Sequence, residues 1–121
     1  MLANFPLRDY ISPEQHERNL SMVKHIILWQ LKDEIAGEEK IAVKKGIKTG
    51  LEGLTGKIPG LTEIKVYTDG LPSSNADVML DSTFNTFEDL KNYAIHPEHV
   101  AVADSAVRPF TKTRLCLDFE I

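Results

Sequence analysis

Val23-Lys24-His25-Ile26-Ile27-Leu28-Trp29-Gln30-Leu31 is a run of branched and aromatic side chains, and its reading decides the fold. A strand turns successive side chains to opposite faces, so Val23, His25, Ile27, Trp29 and Leu31 share one side. Lys24, Ile26, Leu28 and Gln30 share the other. Both sides are apolar in the middle, so both need cover and the strand belongs at the centre of a sheet. His25 is the polar exception on the more apolar side. Such a histidine is either a hydrogen-bonded core residue or a group facing a pocket.

Downstream, Val43, Ile47, Leu51, Leu54 and Ile58 recur at spacings of four, four, three and four, which predicts a helix from about Glu38 to Leu54 with one core-facing stripe. Gly46, Gly50 and Gly53 flank that stripe and mark either close packing or vacated space. After the Gly56–Gly60 turn, Leu61–Thr68 and Asp77–Phe84 read as two strands of a hairpin-like pair, joined by the polar loop Asp69–Asn75. Thr86 caps the next helix, with Asp89 at its positive end.

That helix runs into Tyr93-Ala94-Ile95-His96-Pro97-Glu98-His99-Val100, a corner carrying two of the four histidines. Pro97 cannot continue the helix before it and pushes His96 toward extended angles, yet its ring suits the first turn of a new helix. Tyr93 therefore sits on a last turn, His96 at the bend and His99 on a first turn. From Pro97 onward His99, Val102, Ala103 and Ala106 share one helical face, which turns His99 toward the apolar side. Either these tips meet in one space between helices and sheet, or the histidines are solvated and cap backbone groups. Arg114–Ile121 is the last strand, with Leu115, Leu117, Phe119 and Ile121 opposite Cys116, Asp118 and Glu120.

The order βαββα(α)β predicts an α+β, ferredoxin-like antiparallel sheet with helices on one face. Helices on one side leave the second apolar side of Val23–Leu31 open, so the expectation is a homodimer that covers it with an identical sheet. Residues 1–21 read as an N-terminal extension, with a short helix after Ser12-Pro13, and residues 22–121 as the domain.

Composition narrows the function classes. A chain of 121 residues, 42% hydrophobic and 26% charged, has the make-up of one globular domain. Its net charge of −4, with no basic cluster beyond Lys44-Lys45, gives nucleic acid nothing to bind. No apolar run reaches the ~18 residues of a membrane span, and the start lacks the pattern of a signal peptide. With the single Cys116, which rules out an internal disulfide, these features predict a cytoplasmic protein.

Val23-Lys24-His25-Ile26-Ile27-Leu28, Lys57-Ile58-Pro59-Gly60, the corner Tyr93–Val100 and Leu117-Asp118-Phe119 together resemble the stress-responsive A/B barrel (Dabb) family over residues 22–121. The pairing of a Val-Lys-His strand with a His-Pro-x-His-Val corner is specific; either half alone is weak. The resemblance implies a dimeric α+β barrel but no single activity. Members include proteins linked to stress and cofactor-free polyketide cyclases of the olivetolic acid cyclase type.

By position, the catalytic groups of the cyclising members match His25, Tyr93 and His99. An intramolecular aldol condensation needs a base of near-neutral pKa and donors for the enolate oxygen. His99 takes the first role, Tyr93 the second, and His25 orients or donates. Asp118 can fix a histidine tautomer if it reaches the same face. Ile47, Leu51 and His96 are the expected substrate contacts, for a small apolar carbonyl ligand in a cavity of roughly 300 Å³ or more. The first helix lacks the aromatic wall of the cyclases, which argues against a polyketide.

No metal and no cofactor is expected: Pro97 spoils a shared face for His96 and His99. The resemblance also implies backbone carbonyls at Thr55, Ile58 and Leu61 as the place where plant members hold a cation. Rival readings are a non-catalytic, stress-related dimeric scaffold and, by fold analogy alone, a heme- or quinone-handling barrel.

Overall fold

The alternation along Val23–Leu31 is realised as strand β1, with every second side chain from Val23 buried, in a computed structural model that describes residues 21–121. The helix expected after Ser12, and all of the expected N-terminal extension but Ser21, lie outside the described residues. Strands β2 (Leu61–Tyr67), β3 (Val78–Phe84) and β4 (Thr111–Glu120) complete an antiparallel sheet of order β2-β3-β1-β4. Helices α1 (Gly37–Glu52), α2 (Phe87–Ile95) and α3 (Pro97–Val102) cover one face of it. This is the ferredoxin-like α+β fold, with β1 central as its two apolar sides require.

Helix α1 buries Val43, Ile47 and Leu51, and the stripe continues through turns to Leu54 and Ile58. Regular helix stops at Glu52, two residues before the expected end, where the Leu54 and Thr55 N–H groups turn to the i−3 carbonyls of Leu51 and Glu52. The Glu52 carboxylate accepts the Val66 N–H at 2.9 Å and meets Lys48 at 2.9 Å. Of the three flanking glycines, only Gly50 marks close packing between helices: an added Cβ would stand 2.9 Å from Val102 of α3. Gly60, at φ +81°, holds the turn into β2 in a conformation that disfavours other residues and leaves room for Asp89.

The corner is built as the proline dictates. Thr86 accepts the Asp89 N–H at 3.1 Å to start α2. His96 is extended, with ψ 132°, and Pro97 opens α3. Beyond it the expected single helix through Ala106 gives way at Val102 to a π-helical turn, Ala103–Val107, and a 3₁₀ turn, Arg108–Phe110. Pro109 has no N–H for the Ser105 carbonyl and its ring crowds that oxygen, so α-helical bonding cannot run through it. The last strand therefore starts at Thr111, three residues before the expected Arg114.

Asp77 joins three elements at the start of β3. It accepts the Leu31 N–H at 2.8 Å and pairs with Lys40 at 3.1 Å. Burial works to raise its pKa, but the Leu31 N–H and the Lys40 ammonium outweigh it and hold the carboxyl below 3.8. A depressed carboxylate stabilises the fold above its unfolded pKa, and that contribution fades as pH falls through the folded value. Asp77→Asn is expected to cost about 1 kcal/mol at neutral pH. In urea unfolding, the gap from the parent protein should close in strong acid; a gap of unchanged size there would refute the ionic origin.

Candidate functional site

His25, Tyr93 and His99 meet under the helices. Alternation in β1 turns His25 inward, where it is 7% exposed, opposite Ser82 of β3 and Asp118 of β4. Tyr93, on the last turn of α2, is 2% exposed and lies edge-on to His25, with ring centroids 6.0 Å apart. His99 comes back over it from the first turn of α3, the two rings tilted by 36° with centroids 4.1 Å apart. All three border a cavity of about 270 Å³, with Trp29, Leu51, Arg108 and Arg114. That volume is a little below the ~300 Å³ at the small end of ligand pockets, so it suits a compact molecule.

The other expected contacts divide. Leu51 lines the cavity, whereas Ile47 is fully buried in the core and does not reach it. His96 also lies off the lining; its Nδ1 accepts the Glu98 N–H at 3.1 Å and caps α3. One histidine of the corner thus serves the backbone and the other faces the cavity.

Local bonding sets what each group can do. His99 Nδ1–H donates to the Ala94 carbonyl at 3.3 Å, which leaves Nε2 with the lone pair. Burial pulls the His99 pKa below 6.5; the Arg108, His25 and Arg114 charges act the same way, and the Ala94 bond opposes them. The shift favours the neutral imidazole, the form in which a base must be. His25 Nδ1–H donates to Asp118 Oδ1 at 2.5 Å, which fixes its tautomer and ring plane.

The Tyr93 hydroxyl is buried and has no hydrogen-bond partner among the described residues. Burial raises its pKa far above 10, with Arg114 opposing weakly, so it stays a proton donor. Leaving such a group unpaired costs about 1–3 kcal/mol. The arrangement is a neutral base, an unspent donor and an oriented imidazole around one hollow.

Among the described residues, His25, Cys116 and Asp118 bring three metal-capable atoms within 4.8 Å of one another. Burial and the Asp118 charge raise the Cys116 pKa and disfavour the thiolate that a metal needs. An ion would also have to part His25 from Asp118, so the hydrogen-bonded pair is the favoured state.

Arg108 and Arg114 line the cavity as well, and neither was expected there from the sequence. Arg114 lies opposite Trp29 in the β4 register and so shares the inward face of Cys116 and Asp118. Continuing that alternation back by two residues was the available signal. No comparable signal existed for Arg108, whose place depends on the π-helical turn.

Comparison with known proteins follows the same outline. The Stress Responsive A/B Barrel Domain family model matches residues 23–121. Olivetolic acid cyclase of Cannabis sativa is 30% identical over 100 residues, covering 80% of this chain and 94% of that protein. A dimeric protein of unknown function and ferredoxin-like fold from Bacteroides fragilis is 37% identical, with a TM-score of 0.77, covering 83% of this chain and 96% of that one. Hydroxynitrile lyase from Passiflora edulis, 20% identical with a TM-score of 0.64, covers 84% of this chain and 94% of its own and shares the fold. No helix among the described residues is long and apolar enough to cross a membrane.

Proposed function

This chain belongs to the stress-responsive A/B barrel domain family, and from that premise we propose that it is a homodimeric enzyme doing acid/base chemistry on a small carbonyl compound. The reaction is of the aldol-cyclase or lyase kind. His99 Nε2 takes a proton from the carbon next to a carbonyl. The electron pair left behind delocalises onto the carbonyl oxygen, and the Tyr93 hydroxyl donates a hydrogen bond to that enolate. His25, oriented by Asp118, is the second donor. The enolate carbon then adds to another carbonyl carbon, and the proton held on His99 passes to the alkoxide so formed. In the lyase sense the same base takes the proton of a β-hydroxyl, the bond between the α and β carbons breaks, and the enolate carbon takes that proton back.

The observation that carries this reading is the buried Tyr93 hydroxyl, unpartnered at 2% exposure beside a neutral imidazole. A core tyrosine serving only packing gains nothing from an oxygen left unpaired. A donor awaiting a ligand oxygen explains it.

The test is exchange of α-hydrogens of a small ketone in D₂O, followed by proton NMR. Tyr93→Phe should slow exchange by about a hundredfold, the scale of losing one oxyanion donor. Because the hydroxyl is already unpaired, the variant should be no less stable than its parent. No exchange above buffer by the parent protein, or an undiminished rate in the variant, would leave the scaffold reading in possession.

A further inference from the structure

The cavity is basic in an acidic protein. Net charge over the chain is −4, yet two arginines and no carboxylate line the hollow. Asp118 lies behind His25 and is engaged with its Nδ1. Arg108 is ion-paired with Asp104 on the preceding turn. Arg114 forms no ion pair among the described residues. A guanidinium stays charged under all ordinary conditions, and its planar fork matches the two oxygens of a carboxylate.

From this juxtaposition we infer that the substrate is a keto-carboxylate, its carboxylate held by Arg114 and its ketone turned to Tyr93 and His99. The inference rests on the proposed carbonyl chemistry and replaces a wholly apolar ligand with an anionic one. The groups facing the hollow agree. His25 from β1, Tyr93 from α2, His99 from α3 and Arg114 from β4 offer donors and a neutral base, with no negative charge to repel an anion. Arg114 also helps keep His99 unprotonated. A carboxylate bound on the guanidinium offsets that charge, so the base becomes stronger once substrate is in place.

Trp29 is the only tryptophan of the chain and lines the cavity, so its fluorescence reports occupancy. The probes are levulinate and its neutral amide, levulinamide, matched in shape and differing in charge. The parent protein should bind levulinate at least about tenfold tighter than the amide, with the preference shrinking as salt is added. Arg114→Gln should abolish the preference while amide binding persists, and Arg114→Lys should restore part of it. Equal affinities in the parent, or a preference that survives Arg114→Gln, overturn the assignment and leave the carbonyl reading standing. No response to either probe overturns both.

Discussion

Alanine at position 99 is expected to slow α-hydrogen exchange by about 10²–10⁴-fold, the range for losing a positioned general base. The argument is local. His99 has its Nδ1 proton committed to Ala94, so only Nε2 can accept. Its ring lies against Tyr93, whose buried hydroxyl has no hydrogen-bond partner among the described residues. The pH dependence follows from the direction of its shift. A histidine held below 6.5 is less protonated at a given pH than an ordinary one, so the acid limb of the rate profile should lie below 6.5. Arg114→Gln removes one of the charges behind that shift and should move the limb upward. Stability runs the same way: between the folded pKa and 6.5 the unfolded chain takes up a proton that the folded chain refuses. Stability therefore falls as pH drops through that window, and the alanine variant lacks this component. Exchange rates and thermal melts on both proteins, taken across that window, are the measurements. A variant that melts lower but exchanges at the parental rate would place His99 among the packing residues.

How far the site could be read in advance depended on the kind of constraint each residue obeys. The inward placement of His25 was legible because strand alternation is strict, and that of Tyr93 and His99 because Pro97 leaves the chain little choice at the bend. The His25–Asp118 bond was only half legible. Alternation put Asp118 with Cys116, but which face they share with β1 depends on register, and a slip of one residue would have turned both away. The pairing of β1 with β4 shifts at Gln30/Leu31, an irregularity that no alternation rule foresees. Arg108 was hidden for a related reason: a π-helical turn changes the angular step per residue, so a face extrapolated from Pro97 at the α-helical period drifts before it reaches position 108. Ile47 shows the limit of a helical stripe as evidence. The same period that aims Leu51 at the cavity aims Ile47 at the core, and spacing cannot tell them apart.

Aspartate in place of Leu117 is expected to convert the protein from dimer to monomer at micromolar concentration. On the face of the sheet away from the helices, Leu115 is 70% exposed and Leu117 63%, with Phe119, Ile121 and Tyr67 beside or near them also exposed. Ile26 and Leu28 of the central strand pair with Leu117 and Leu115, which makes the apolar surface continuous across β1 and β4. Single exposed leucines are ordinary, but a contiguous sheet face of this kind is a surface built to be covered. In a two-fold dimer each substitution acts twice. Burying a leucine contributes about 1.5–3 kcal/mol, and stranding a carboxylate in its place costs more still. Two such losses exceed the several kcal/mol that separate a tight dimer from a micromolar one. Sedimentation velocity reads the outcome, and circular dichroism should show the sheet intact, since Leu117 takes no part in the helix-covered core. His25, Tyr93 and His99 converge within a single chain, so a folded monomer should keep its response to levulinate. A parent protein that sediments as a monomer would overturn the homodimer, and a variant that still sediments as a dimer would move the interface off this face.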